Sequence, residues 1–156
     1  HEGPLDLDVI ANRKIVSGQN VVQLETAIGS ALEHFSGSVG LVVDRDRFLP
    51  VKKTADLLLI QSDLFFLKKG RLIKNPQRKL ADLPLIQLGD DFASLEDYHR
   101  RIPEVPGLLN LKSLELEGDV SFEGSATLSG EVRIVGRKNQ VVIPANALLE
   151  DEVIVQ

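Results

Sequence analysis

The sequence has no cysteine in its 156 residues, and this absence excludes disulfide bonds and thiolate zinc sites. It also contains no Asn-x-Ser/Thr sequon, and the two absences lead us to expect a cytoplasmic location. Long apolar runs are missing too, because Leu57–Ile60 is far too short to cross a bilayer. Nothing is typical of a signal peptide. We therefore expect no membrane partner, and since the chain begins at His1 we expect a fragment of a longer protein.

Several motifs of catalytic and binding proteins are also absent. Residues 1–102 contain no Gly-rich phosphate loop, and no Gly-x-Ser-x-Gly nucleophile motif occurs. His1, His34 and His99 show no i, i+4 spacing, so a zinc site is not predicted. The net charge is −5, which gives no reason to expect general affinity for nucleic acid. The sequence alone does not assemble a complete active site.

A six-residue repeat near the C-terminus is the strongest pattern present. Glycines recur every six residues, and two apolar registers keep the same period. The glycines are Gly118, Gly124, Gly130 and Gly136; the apolar registers are Leu114, Val120, Ala126, Val132 and Leu116, Phe122, Leu128, Ile134. This period predicts a β-helix, a solenoid of short strands and tight corners. A β-meander with evenly spaced turns is the alternative.

The predicted solenoid is short, and this has a consequence for assembly. It has room for two or three coils, with an insertion at residues 137–140 that shifts the register. Repeat structures need capped or shared ends. We therefore expect an exposed end or edge of the solenoid to form a contact surface, and a homo-oligomer to result.

The region before the solenoid alternates strands and helices, which is typical of the C-terminal part of an α/β sheet domain. We predict strands at Asp8–Asn12, Val39–Val43 and Leu85–Leu88, and helices at Leu24–Phe35, at Ala55–Gln61 capped by Thr54, and after a capping box of Ser94 and Asp97. Leu64–Leu67 fits a helix or a strand. The predicted organisation is an α/β part over residues 1–102, a linker over 103–107 and the solenoid over 108–156.

Lys52 is the candidate site residue with the most specific setting. It follows Pro50 and precedes the predicted helix start at Thr54. A lysine there can direct its ammonium group at a phosphate near a helix N-terminus, where backbone N–H groups also point. The alternative is a solvated surface lysine.

Asp44 and Asp46 form an Asp-x-Asp motif after a predicted strand. Two carboxylates at this spacing can share one Mg²⁺, as in glycosyltransferases that use nucleotide sugars. Arg45 and Arg47 alternate with them, which favours a charge-balanced loop.

Four stretches together resemble a known family. They are Val21–Gly29, Arg47–Lys52 running on through Thr54 and Asp56–Leu59, Leu114–Gly124, and Ile143–Pro144 with Ala147, Leu149 and Glu150. In this order they resemble the C-terminal third of the eukaryotic UDP-glucose pyrophosphorylases, that is, UTP–glucose-1-phosphate uridylyltransferases. The segment Phe-Leu-Pro-Val-Lys, ending at Lys52, is the most specific of them.

The resemblance implies a fold and an activity. It implies a Rossmann-like α/β domain of the glycosyltransferase-A type, followed by a left-handed β-helix that drives oligomerisation in several members. The implied reaction converts UTP and glucose 1-phosphate to UDP-glucose and pyrophosphate with Mg²⁺, which the absent N-terminal part and the nucleotide phosphates would mainly bind. The phosphate-contacting lysine of the family falls on Lys52. Because the nucleotide loop would lie before this fragment, we expect the fragment to be inactive alone.

Two positions depart from the family pattern. A small or hydroxylic residue is usual where Lys53 stands, and a proline where Asp44 stands. A second cation beside Lys52 would alter the electrostatic field at the Lys52 ammonium group.

A purely structural β-helix module that joins subunits is the alternative function. A hexapeptide acyltransferase would need a histidine in the solenoid, and residues 103–156 contain none.

Overall fold

The computed structural model describes residues 7–156, and the side chains of all of these but Asp46. The chain divides into two compact units, one ending at Phe48 and one spanning Leu49–Gln156. His1 lies outside the described residues. No helix in the described part of the chain combines the length and the apolar character that spanning a membrane requires.

The first unit is built on a hairpin of β1 (Val9–Val16) and β2 (Gln19–Thr26), which pair antiparallel. Ser17 and Gly18 form the two-residue turn with φ of 51° and 77°, the conformation that suits the twist of a tight hairpin. Two 3₁₀ helices follow, Ile28–His34 and Arg45–Arg47.

Two sequence predictions are wrong in this unit. The predicted helix Leu24–Phe35 is divided between the end of β2 and the first 3₁₀ helix, because Leu24 pairs with Ala11 across the hairpin. The predicted buried strand Val39–Val43 is not formed, and Val39 is 88% exposed. A strand needs a hydrogen-bonding neighbour, and none of residues 7–156 pairs with this segment.

The second unit opens with helix α1 (Thr54–Gln61) and a hairpin of β3 (Phe65–Lys68) and β4 (Arg71–Lys74). The open choice at Leu64–Leu67 is thus settled as a strand. The predicted strand Leu85–Leu88 is present as β5. Ser94 caps α2 (Leu95–Arg101) as predicted, because its hydroxyl accepts the Asp97 N–H at 3.0 Å.

The rest of the unit is a parallel sheet in the order β5-β6-β7-β8, with β9 also pairing with β7. Its strands are β6 (Gly107–Phe122), β7 (Ala126–Ile143), β8 (Ala147–Glu150) and β9 (Val153–Val155). Leu114 pairs with Val132 and Leu116 with Ile134, so one strand follows the other after three six-residue repeats. The register shifts between Gly118 and Val120, where the predicted insertion lies in the facing strand.

The apolar registers of the repeat form the interior, as predicted. All eight of their residues are buried, at 5% exposure or less. Two of the glycines stand at corners that require them: Gly118 and Gly130 have φ of 76° and 66°. A Cβ atom at Gly130 would also collide with the Asp151 carboxylate. The architecture is therefore an α/β one with a parallel sheet and a continuous core.

Candidate functional site

The N-terminus of α1 is fixed by one carboxylate. Oδ2 of Asp56 accepts the backbone N–H of Lys52 at 2.9 Å and that of Lys53 at 3.0 Å. Lys53 is the N-cap residue, and its ammonium group cannot accept hydrogen bonds. Asp56, three residues further on, therefore satisfies the N–H groups that precede the helix. It also occupies the donors that an incoming anion would otherwise use.

Thr54 has a different role from the one predicted. It is the first residue of α1 rather than its cap. Its hydroxyl is buried and donates to the backbone carbonyl of Phe92 at 2.8 Å, so it ties the start of the helix to a neighbouring segment. The predicted cap was wrong because Lys53, not Thr54, has the extended backbone that precedes the helix.

The far end of α1 is held as well. The Tyr98 hydroxyl of α2 donates to Oε1 of Gln61 at 2.9 Å, and the Tyr98 ring is fully buried. Burial raises the pKa of the Tyr98 phenol to about 12. Leu58, in the middle of the helix, is fully buried in the core. The backbone around Lys52 thus rests on a helix fixed at its start, middle and end.

Lys52 itself is exposed, as is Lys53 beside it. Among the described side chains neither lysine has an ion-pair partner. The structure therefore presents two consecutive lysines on a backbone segment that Asp56 holds. A charge held this way can meet an anionic ligand without first breaking an internal contact.

The other candidate residues have different settings, each described within its own unit. Asp44 is exposed and precedes the 3₁₀ helix of the first unit, where the Arg45 guanidinium lies 4.8 Å from the centre of the Phe48 ring. His34 is exposed, and His99 is exposed with its ring edge-on to Tyr98.

Arginines at the end of α2 are engaged in the fold. Arg100 pairs with Asp97, and Arg101 pairs with Asp119 at 2.6 Å and also donates to the Val120 carbonyl. An anion site at His99–Arg101 is therefore not supported. Among the described side chains, no three or more histidine, cysteine or carboxylate residues lie close enough together to hold a metal ion.

Sequence reasoning missed Asp56 as part of the site. The signal was present, since an acidic residue at the third helical position is the second half of a capping box. The capping box was not recognised because its first position is Lys53, and lysine is not a capping residue.

Comparison with known proteins decides the family. The family model described as UTP–glucose-1-phosphate uridylyltransferase matches residues 1–129. The chain belongs to this family. It is 41% identical over 150 residues to UTP–glucose-1-phosphate uridylyltransferase 2 of Dictyostelium discoideum, covering 96% of this chain and 30% of that protein. The UTP–glucose-1-phosphate uridylyltransferase of Hordeum vulgare is 42% identical over 149 residues, covering 95% of this chain and 32% of that protein.

Solved structures agree with this family assignment. A variant of UDP-glucose pyrophosphorylase from Leishmania major matches with a TM-score of 0.75 and 31% identity, covering 99% of this chain and 34% of that one. Another L. major variant, crystallised in complex with UDP-glucose, matches with a TM-score of 0.73. The chain spans about a third of the length of these uridylyltransferases.

Proposed function

We propose that this chain is the C-terminal part of a uridylyltransferase that makes UDP-glucose and pyrophosphate from UTP and glucose 1-phosphate. One observation carries the proposal. In a chain of this family, Lys52 stands exposed at the end of Phe-Leu-Pro-Val, on backbone held by Asp56 and α1. We assign Lys52 as the residue that contacts substrate phosphate.

The chemistry of the reaction suits a lysine in this position. A phosphate oxygen of glucose 1-phosphate attacks the α-phosphorus of UTP, the new P–O bond forms, and pyrophosphate leaves with the electron pair of the bond that breaks. Negative charge develops on the phosphoryl oxygens, so catalysis rests on positioning and cationic stabilisation. The Lys52 ammonium supplies a point charge for those oxygens. Lys53 adds a second charge beside it.

Mg²⁺ belongs to the proposal for the whole protein. When bound, it would neutralise phosphate charge beside Lys52. As the family resemblance implies, we place its ligands mainly on the nucleotide phosphates and on the part of the relatives' length that this chain does not span. We expect the chain by itself to be inactive for the same reason.

We propose a finer architecture for the two parts. Residues 1–102 would be the C-terminal portion of a Rossmann-like domain of the glycosyltransferase-A type, 103–107 a linker, and 108–156 a left-handed β-helix. The register of β6 with β7 supports the β-helix, because paired residues are separated by three repeats and one coil of such a solenoid has three sides. The cytoplasmic location stays a prediction from the sequence.

A second candidate function, assembly of subunits, is favoured by the last strands. Apolar side chains of β8 and β9 are open to solvent: Leu148 is 79% exposed, Val153 67% and Val155 58%. A parallel sheet edge with exposed apolar residues is a surface that proteins normally cover. We propose that a second copy of the chain covers it in a homo-oligomer, whether or not the chain contributes to catalysis.

The function is tested by assaying the intact protein for UDP-glucose formation from UTP, glucose 1-phosphate and Mg²⁺, with the 156-residue chain assayed in parallel. We expect product from the intact protein and none from the chain alone. Product from the chain alone would contradict our placement of the nucleotide site outside it. No product from the intact protein would leave assembly as the function.

A further inference from the structure

A basic segment, residues 64–81, follows α1 in the sequence. It contains six cations and no carboxylate, in a chain whose net charge is −5. The cations are Lys68, Lys69, Arg71, Lys74, Arg78 and Lys79. So uneven a distribution of charge makes this segment a candidate binding surface for an anion.

One of the six cations serves the fold. The Arg78 guanidinium donates to the carbonyls of Leu109 at 2.8 Å and Leu111 at 3.1 Å, and its Nε donates to the Asp82 carbonyl at 3.0 Å. Desolvation by burial lowers the pKa of Arg78. The other five cations are exposed, and within residues 7–156 none of them forms an ion pair.

Three of these exposed cations meet at the end of the β3–β4 hairpin. Lys68 and Arg71 are directly opposite each other in the antiparallel pair. Lys69 and Gly70 form the turn between them, with φ of 49° and 75°. Like charges directly opposite on paired strands destabilise a hairpin. No ion pair among the described side chains reduces this repulsion, and an anion bound to both cations would reduce it.

Two apolar side chains lie on the same face of the hairpin as Lys68 and Arg71. Phe66 and Ile73 are paired two positions away from Lys68 and Arg71, so all four side chains lie on one face. Phe66 is 39% exposed and Ile73 38%. Lys68, Lys69, Arg71 and Ile73 line an open groove of about 420 Å³.

We propose that this hairpin binds a small soluble anion carrying several linked phosphate groups. Arginine recognises phosphate with two parallel hydrogen bonds, and the two lysines add point charges. A single exposed ion pair contributes little, so an anion gains useful affinity only by meeting all three cations at once. Linked phosphates match that requirement. The inference does not depend on the role of Lys52, which lies outside the hairpin.

The test is calorimetric titration of the intact protein with tripolyphosphate at low and at physiological salt. A Lys52→Gln background removes the phosphate contact proposed above, and the second site is measured as the difference between two triple variants made in that background. We compare Lys68→Gln/Lys69→Gln/Arg71→Gln with Lys112→Gln/Arg137→Gln/Lys138→Gln, which removes two exposed lysines and one exposed arginine from the solenoid. Both triple variants change the net charge equally.

We expect the hairpin variant to bind tripolyphosphate about tenfold more weakly, and the solenoid variant to bind it nearly as the parent does. Affinity should fall as salt rises. The hairpin variant should unfold at no lower temperature than the parent, because the Lys68–Arg71 repulsion is gone. Tripolyphosphate should raise the unfolding temperature of the parent more than that of the hairpin variant.

Three results would overturn the proposal. One is equal binding by the two triple variants, and a second is no binding by the parent at low salt. The third comes from sedimentation with phosphatidylserine vesicles. If the three hairpin cations are needed for vesicle binding while tripolyphosphate does not bind, the ligand is a lipid surface rather than a soluble phosphate compound.

Discussion

Asp56 is the residue on which the geometry at Lys52 depends, because its carboxylate holds the N–H groups of both Lys52 and Lys53. We predict that Asp56→Ala lowers the free energy of unfolding by about 1 kcal/mol, the usual loss for a helix cap. Turnover should fall as well, while Asp56→Asn retains an acceptor and much of both properties. Urea unfolding and steady-state kinetics of the intact protein check this. Turnover unchanged in Asp56→Ala would show that the backbone of Lys52 needs no such support.

Tyr98 gives a prediction about pH. Its pKa is raised to about 12 in the folded chain by burial, above the value near 10 that an exposed phenol has. The unfolded chain therefore loses the proton first, and the stabilisation present below about pH 10 is lost as the pH rises toward 12. The free energy of unfolding of the Tyr98→Phe variant should fall less steeply as the pH rises over this range. If urea titrations show the same loss of unfolding free energy with pH for the parent and for Tyr98→Phe, the raised pKa of Tyr98 is contradicted.

At the scale of elements, the repeat region was predictable and the first unit was not. The period of six could be seen in the sequence because each six-residue repeat buries the same two apolar positions. Val39–Val43 and Leu24–Phe35 were mispredicted because apolar spacing does not say which strand will lie alongside. The role of Lys52 stays a prediction from its motif. Asp56 was missed although an acidic residue at the third helical position was a signal, because the cap position before it holds a lysine.

The buried apolar positions of the repeat yield a stability prediction with an internal control. Leu116 is 1% exposed, and Leu116→Ala should lower the free energy of unfolding by about 2–5 kcal/mol through lost burial and the cavity left behind. Leu148 is 79% exposed, and Leu148→Ala should change the free energy of unfolding by less than about 0.5 kcal/mol. Equal losses in chemical denaturation would contradict the burial of the repeat.

At the scale of the whole molecule, the open edge at β8 and β9 predicts assembly. Val153→Asp places a charge on an exposed apolar position of β9. If a second copy covers this edge, the substitution should lower the molar mass measured by light scattering of the intact protein, without loss of helix or sheet signal. Glu152→Gln, next to it in sequence and exposed, serves as the control. An intact protein that is already monomeric at high concentration would contradict assembly through this edge.

The central claim is that the Lys52 ammonium contacts substrate phosphate during uridylyl transfer. The most direct test is the turnover of UTP and glucose 1-phosphate with Mg²⁺ by the intact protein carrying Lys52→Ala. Lys53→Ala is the control, because Lys53 is adjacent and equally open to solvent. We predict that Lys52→Ala lowers turnover by roughly 10²–10³-fold in a folded protein, as for loss of one preorganised charge partner, and that Lys53→Ala lowers it far less. A loss below about tenfold for Lys52→Ala would contradict the claim and leave Lys52 a surface lysine.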